Sequence, residues 1–161
     1  MPSQAKVILP AHARVLLVDS HRSGLKARCM VLEEQGHTAL GVTSPDEALH
    51  LLETESFDII VTEYRLSGCS GIEFIARLRE VTPGTPIILL SGYVDALGLS
   101  VKSTGADAVV MKSATEPQHL KSAVRSLLRS RQPARKKPTR KPPASEQTTA
   151  RPLVKRAASG K

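Results

Sequence analysis

Four residues with reactive or ligand-binding side chains each come directly after a short, mostly apolar run. The runs cover residues 15–18, 57–62, 87–90 and 109–111, and the residues that follow them are Asp19, Glu63, Ser91 and Lys112. Because the carboxyl ends of parallel strands meet at one edge of a sheet, we expect these four side chains to converge. A carboxylate, a hydroxyl and an ammonium are the groups that phosphoryl transfer to a carboxylate requires. The sequence therefore predicts a site of this kind at the carboxyl edge.

The elements that must position these residues alternate between strand and helix patterns. Strands are predicted over residues 14–18, 37–42, 57–62, 87–90 and 108–111. Helices are predicted from about residue 21 to a stop at Gly36, and over residues 45–55, 71–81, 93–104 and 116–129. This alternation favours an α/β fold, a doubly wound five-stranded parallel sheet with helices on both faces.

Local sequence signals support the prediction of two of these helices and weaken the prediction of a third. Ser44, Pro45 and Glu47 form the pattern of a capping box with Pro at the first helical position. Gly71 begins the predicted third helix, which ends before a Pro-containing turn. Gly98 interrupts the helix predicted over residues 93–104, so we expect this helix to be the poorest.

Four segments in register carry a resemblance to a known family. VLLVD, FDIIVTEYRLSGCSG, IILLS and GADAVVMK, in that order, resemble the receiver domain of two-component response regulators over about residues 14–130. The resemblance implies a flavodoxin-like fold. It also implies a role in phosphorelay signalling, a sensor kinase or another signalling protein as partner, and no enzymatic activity as the protein's main function.

The resemblance assigns roles to the four strand ends, and the chain departs from the family at two positions. In the family an acidic pair, a phospho-accepting Asp and a main-chain carbonyl hold Mg²⁺. The matching positions here are Asp19 with Ser20, Glu63, and the carbonyl of Arg65. The switch hydroxyl of the family corresponds to Ser91, and the Lys that pairs with the phosphoryl group corresponds to Lys112.

Glu63 and Ser20 change the chemistry that the resemblance implies. The additional methylene of Glu63 moves the carboxylate by ~1.5 Å, enough to spoil an attack that depends on close positioning. Ser20 removes one negative charge, so we expect Mg²⁺ binding to be weak and phosphoryl transfer to be lost. Glu63 either imitates the phosphorylated state near Ser91 and Lys112 or pairs with Lys112 or Arg65 to hold the loop, and these two interpretations are not exclusive.

The net charge of +8 is concentrated at one end of the chain. Residues 131–161 hold ten of the 23 Lys and Arg but one acid, a net charge of +9, so the other 130 residues sum to −1. This segment is rich in Pro and poor in apolar residues, and we expect it to be disordered. Its charge could attract nucleic acid without sequence specificity, or an acidic protein partner, or serve solubility alone.

Composition suggests where the protein works and how it is divided. Cys29 and Cys69 are too few for a disulfide framework, which favours a reducing compartment. No apolar stretch approaches the ~18 residues that cross a bilayer, so we expect a cytoplasmic protein with no membrane partner. The predicted organisation is a flexible segment over residues 1–13, a receiver-like domain over 14–130 and a basic segment over 131–161.

Three functions remain open at this point. The leading interpretation is an atypical response regulator without an output domain that acts by binding partners, with phosphoryl transfer lost. The second is a conventional phospho-accepting receiver despite Glu63. The third is a nucleic-acid-associated protein that docks through the receiver-like domain and acts through residues 131–161.

His21 lies next to Ser20, but the five histidines form no metal-binding spacing, and a solvated loop histidine is the simpler interpretation.

Overall fold

The computed structural model describes residues 12–131 of the chain. These residues form five strands and six helices, listed here in chain order: β1 (Arg14–Val18), α1 (Arg22–Glu33), β2 (Thr38–Val42), α2 (Pro45–Thr54), β3 (Ile59–Glu63), α3 (Gly71–Val81), β4 (Ile87–Ser91), α4 (Val94–Leu97), α5 (Val101–Thr104), β5 (Ala108–Met111) and α6 (Glu116–Ser130). The segments expected to be flexible at the start and disordered at the end lie outside the described residues, apart from residues 12, 13 and 131.

All five strands pair in parallel, in the order β2-β1-β3-β4-β5. The central pairs match Val15 with Ile59 and Ile60 with Ile87. This order reverses direction between β1 and β3, which is the point where doubly wound sheets place their ligands. The predicted fold class, a five-stranded parallel sheet with helices on both faces, is confirmed.

The core consists of two apolar layers, one on each side of the sheet. Alternate residues of a strand point to opposite faces. One layer therefore takes Leu16 and Ile60 with residues of α2 and α3, including Phe74 and Leu78. The other takes Val15, Ile59 and residues of α1 and α6, listed as Leu25, Leu32, Leu120 and Val124. The central strands are buried on both faces, which fixes their carboxyl ends relative to one another.

The connection from β3 to α3 is held by a close backbone approach. The Gly71 N–H donates a hydrogen bond to the Tyr64 carbonyl at 2.6 Å. A Cβ on Gly71 would lie 2.6 Å from the Glu63 carbonyl oxygen and 2.8 Å from the Tyr64 Cα, so this position has room for glycine only. Ser70 and Glu73 form a reciprocal capping box that starts α3. The end of β3 is therefore fixed from the side of α3.

Several predicted boundaries differ from those observed. β3 begins at Ile59 rather than Phe57 and includes Glu63 as its last residue. The helix predicted over residues 93–104 is two four-residue helices, because Gly98 adopts a left-handed conformation with φ of 59° and Ser100 caps a new helix.

The capping box predicted at the start of α2 is only half formed. The Ser44 side chain accepts a hydrogen bond from the Glu47 N–H, but the Glu47 carboxylate accepts from the Thr43 N–H rather than from the Ser44 N–H. Pro45 occupies the first position of the helix, as predicted.

Residues at the start of the described region pack onto the domain. Ala13 is buried, and its carbonyl accepts a hydrogen bond from the Thr38 N–H. The Ala13 N–H donates to Nδ1 of the buried His37 at 3.3 Å. His12 contacts the Gly36 carbonyl and the Thr38 hydroxyl. The packed domain therefore includes His12 and Ala13.

None of the helices in residues 12–131 has the length and apolar character to cross a membrane.

Candidate functional site

The carboxyl edge of the sheet brings together the four side chains singled out in the sequence. Asp19 directly follows β1, Glu63 and Ser91 are the last residues of β3 and β4, and Lys112 directly follows β5. Asp19 is 3% exposed, Glu63 7% and Ser91 1%. A buried carboxylate needs a hydrogen-bond donor or a cation as partner, because burying it without one costs about 3 kcal/mol or more. The partners define the site.

Lys112 supplies one of these partners. Its Nζ donates a hydrogen bond to Glu63 Oε1 and lies 4.0 Å from Asp19 Oδ2. Because β4 lies between β3 and β5, this ion pair passes over the end of β4 and joins two strands that are not neighbours. The sequence interpretation in which Glu63 pairs with Lys112 is the arrangement observed. Arg65, the other partner considered, stacks instead on the Tyr93 ring, with 4.2 Å between its guanidinium carbon and the ring centre.

Arg28 supplies the second partner, and it comes from α1. Its Nη1 donates to Asp19 Oδ2, and its Nε and Nη2 donate to the two carboxylate oxygens of Glu116 at 2.5 and 3.1 Å. Glu116 is the first residue of α6 and is itself buried. One guanidinium therefore connects the end of β1, the helix α1 and the start of α6.

Gly24 leaves room for the guanidinium of Arg28 in its present position. It lies one helical turn before Arg28, and a Cβ there would lie 2.9 Å from Arg28 Nη1 and 3.5 Å from Asp19 Oδ2. Side chains in a helix lean toward its N-terminus, so Arg28 reaches the pocket by passing over residue 24. A larger residue at position 24 would fill that path.

The second oxygen of Glu63 has a different environment. Among residues 12–131, Glu63 Oε2 is buried and accepts no hydrogen bond. His21 Nδ1 lies 3.6 Å from this oxygen and 3.4 Å from Asp19 Oδ1, while the His21 N–H donates to Asp19 Oδ1 at 2.8 Å. The three side chains offer ligand atoms within 4.8 Å of one another. His21, expected to be a solvated loop residue, has a mostly exposed side chain at the mouth of this cluster.

Burial and charge move the pKa values of the two carboxylates in opposite directions. Burial raises the pKa of Glu63, and the neighbouring Asp19 adds to the effect against the opposing influence of Lys112. For Asp19, burial acts in the same direction, but contacts with Glu63 and the His21 N–H and the charges of Lys112 and Arg28 outweigh it, so its pKa lies below the ordinary value. Asp19 is therefore the more firmly ionised carboxylate of the two.

Ser20 and Ser91 do not point their hydroxyls at the carboxylates. Ser20 Oγ accepts a hydrogen bond from the Ser67 N–H at 3.0 Å, so it ties β1 to the loop after β3. Ser91 Oγ accepts from the Tyr93 N–H at 3.0 Å, and no hydrogen bond joins it to Glu63 within the part of the chain described. Ser91 remains next to Lys112 through the backbone, because the Lys112 N–H donates to the Ser91 carbonyl.

This set of groups supports weak binding of Mg²⁺ at most. Mg²⁺ requires hard oxygen ligands in near-octahedral geometry. Here Arg28 and Lys112 each hold a carboxylate oxygen, Ser20 faces the loop, and the third group beside the remaining oxygens is the imidazole of His21. An imidazole suits zinc and other transition metals better than Mg²⁺.

Sequence reasoning missed Arg28 and Glu116 as members of the site. Both lie on helices rather than at strand ends, and an Arg on an amphipathic helix is usually solvated. The one signal present in the sequence was Gly24, a poor helix former placed four residues before Arg28. A glycine inside a helix costs stability relative to alanine, and here it lies beside the Arg28 guanidinium.

Comparisons with known proteins bear on the family and the fold of the chain. The family model described as the response regulator receiver domain matches residues 15–125. The chain is 33% identical over 115 residues to the hydrogenase transcriptional regulatory protein HoxA of Cupriavidus necator, covering 70% of this chain and 23% of HoxA. It is 31% identical over 84 residues to the transcriptional regulatory protein GlrR of Escherichia coli, covering 52% and 18%. The chain thus spans about a fifth of the length of these curated relatives.

A solved structure gives the same result for the fold. The response regulator TrrA of Thermotoga maritima, crystallised in complex with Mg²⁺ and BeF, superposes with a TM-score of 0.64 at 27% identity, covering 71% of this chain and 97% of that one. The residues that the family model matches, 15–125, include Asp19, Glu63, Ser91 and Lys112.

Proposed function

The chain belongs to the receiver domain family of response regulators, and we propose that residues 14–130 act as a pseudo-receiver in two-component signalling. In this role the domain binds a partner protein without accepting a phosphoryl group. The partner is a sensor kinase or another signalling protein, and it contacts the receiver surface.

The observation that carries this proposal is the ion pair between Glu63 and Lys112. Glu63 stands at the family's acceptor position, and Lys112 at the position that pairs with a phosphoryl oxygen. In this chain the Lys is already paired with the side chain that it would otherwise help to phosphorylate. A carboxylate carries one charge, against about −1.5 to −2 for a phosphoryl group, so the pair reproduces only part of a phosphorylated pocket.

The partner-binding part of the proposal is supported by the surface around α4 and α5. Tyr93, Leu97 and Val101 are 40%, 52% and 50% exposed, an apolar set on a segment of two short helices. Large exposed apolar side chains that lie near one another mark interaction surfaces more often than single ones do.

A small-molecule phosphodonor tests the loss of phosphoryl transfer. We expect the full chain, treated with acetyl phosphate and Mg²⁺, to show no added phosphoryl group in its intact mass. The reason is that the additional methylene of Glu63 displaces its carboxylate from the position of the family's Asp, and that this carboxylate is paired with Lys112. Glu63→Asp alone, and Glu63→Asp with Ser20→Asp, restore the acidic residues of the family pattern and serve as the matched variants. A hydroxylamine-labile phosphoryl group on Glu63 of the unaltered chain would establish the conventional phospho-accepting receiver instead.

A second function rests on the charge of residues 131–161. Ten basic residues and one acidic residue give this segment a net charge of +9, while the rest of the chain sums to −1. Such a segment binds polyanions by releasing counterions, and its affinity falls steeply with salt. Deleting residues 132–161 should abolish any retardation of DNA by the full chain. Retardation by the shortened chain would place the nucleic-acid contact on the receiver domain.

A further inference from the structure

We propose that Arg28 is the permanent counter-ion of the acidic pocket and takes the place of a divalent metal. This inference rests on the proposed pseudo-receiver function and specifies how its pocket is neutralised. It predicts that the pocket binds Mg²⁺ weakly at most, because a cation from the chain itself is already bound to Asp19.

Arg28 is held in the pocket by hydrogen bonds to two carboxylates. Its side chain is 13% exposed, and its guanidinium donates to Asp19 on one side and to both oxygens of Glu116 on the other. A planar guanidinium with several donors suits such two-sided binding, whereas an ammonium does not. Fixed on two buried carboxylates, Arg28 has little freedom to leave the pocket.

Two cations of the chain offset two of the three negative charges of the pocket without a metal ion. Three buried carboxylates, those of Asp19, Glu63 and Glu116, face two cations, Arg28 and Lys112. A divalent ion at Asp19 would lie beside the Arg28 guanidinium, and repulsion between neighbouring like charges is large in a partly buried site. The ion would have to displace Arg28 from Asp19 and leave Glu116 as the only partner of the guanidinium.

The sequence provides specifically for this arrangement. Gly24 leaves the path from α1 to the pocket open, since a Cβ there would lie 2.9 Å from Arg28 Nη1. The serine at position 20, which replaces the family's second acidic residue, accepts a hydrogen bond from the Ser67 N–H and adds no negative charge beside Asp19 and Arg28.

The test measures Mg²⁺ affinity by calorimetry on the full chain and on variants of Arg28. Arg28→Met removes the internal cation, and we expect it to bind Mg²⁺ about tenfold more tightly or better than the unaltered chain. Arg22→Met removes the same charge from an exposed position of the same helix and should leave the affinity unchanged. Equal affinities for Arg28→Met and the unaltered chain would overturn the proposal.

A double variant shows whether Asp19 or Glu116 binds Mg²⁺ once Arg28 has been replaced. Arg28→Met with Glu116→Gln removes one cation and one anion, so the net charge of the chain stays the same. The proposal requires the gain in Mg²⁺ affinity to persist in this variant, since Asp19 is still free. Disappearance of the gain would mean that Glu116, and not Asp19, binds the ion in Arg28→Met, which contradicts the proposal.

The unaltered chain provides a test that needs no variant to fold. The Arg28 Nη–H resonances in a ¹⁵N correlation spectrum should keep their positions when millimolar Mg²⁺ is added, because Nη1 donates to Asp19 and displacement of the guanidinium from Asp19 by the ion would shift them. Failure of this inference is distinct from failure of the proposed function. A shifted Arg28 resonance in a chain that acetyl phosphate leaves unlabelled overturns the role of Arg28 alone, while labelling of Glu63 overturns the pseudo-receiver itself.

Discussion

Lys112 donates a hydrogen bond to Glu63 Oε1, and this ion pair joins the ends of β3 and β5 over the intervening β4. Glu63 is 7% exposed and the Lys112 side chain is 24% exposed, so the pair is only partly open to water. Removing one partner from such a pair leaves the other charge buried without compensation. The pair therefore gives the pocket a fixed arrangement that does not depend on an added phosphoryl group.

Glu63→Gln, which keeps the size of the side chain but removes its charge, distinguishes a local pair from an imitation of phosphorylation. We expect amide chemical shifts to change over residues 109–112, where Lys112 loses its partner, and to stay the same over residues 93–98. The reason is that the Ser91 hydroxyl accepts from the Tyr93 N–H and makes no hydrogen bond to Glu63 within residues 12–131. Changes that extend over residues 93–98 would mean that Glu63 acts on the switch region as a phosphoryl group does.

Gly71→Ala should destabilise the domain by about 1–3 kcal/mol, because its Cβ would meet the backbone at the end of β3. The contact distances would be 2.6 Å to the Glu63 carbonyl oxygen and 2.8 Å to the Tyr64 Cα. Gly84→Ala is the control, since nothing lies within 4 Å of its Cβ, and we expect its effect to stay within about 0.5 kcal/mol. Urea unfolding measures both. Similar stabilities of the two variants would mean that α3 can move away from β3 at little cost.

His37 should make stability depend on pH. Burial lowers its pKa from the ordinary value of 6.5, with a smaller contribution from His12, and its Nδ1 accepts from the Ala13 N–H only when unprotonated. The folded state thus favours the neutral ring. The resulting stability is present above pH 6.5 and is lost as the pH falls through the lower pKa of the folded state.

The matched variants for this prediction are His37→Gln and His50→Gln, because the His50 side chain is 84% exposed. Denaturant unfolding at several pH values should give a loss of stability on acidification for the unaltered chain and for His50→Gln, and a smaller loss for His37→Gln. Parallel curves for all three proteins would show that His37 does not titrate in this range.

The positions of Asp19, Glu63, Ser91 and Lys112 could be predicted because they depend on the simplest rule of the fold. Apolar runs of four or five residues in a strand-helix alternation form parallel strands, and the residue at the end of each lies at the same edge. The strand β5, predicted over residues 108–111, is observed at Ala108–Met111. Whether these residues carry the roles that the resemblance implies stays a prediction.

The directions of individual side chains could not be predicted. Arg28 lies in the pocket where α1 packs beside α6 and Gly24 leaves room for its guanidinium, and both features depend on tertiary packing. Ser20 was expected in the acidic pocket, but its hydroxyl accepts a hydrogen bond from the Ser67 N–H, a partner 47 residues away. Periodicity locates an element, whereas a hydrogen bond to a distant loop depends on how that loop closes.

The measurement that tests the account most directly is a double-mutant cycle on Glu63 and Lys112. Unfolding free energies of the unaltered chain, Glu63→Gln, Lys112→Met and the double variant give the energy of coupling between the two side chains. Arg77 and Asp46, paired at 3.4 Å with both side chains about half or more exposed, provide a control pair for which we expect less than about 0.5 kcal/mol. For Glu63 and Lys112 the account predicts about 1–3 kcal/mol. A coupling no larger than that of the control pair would contradict it.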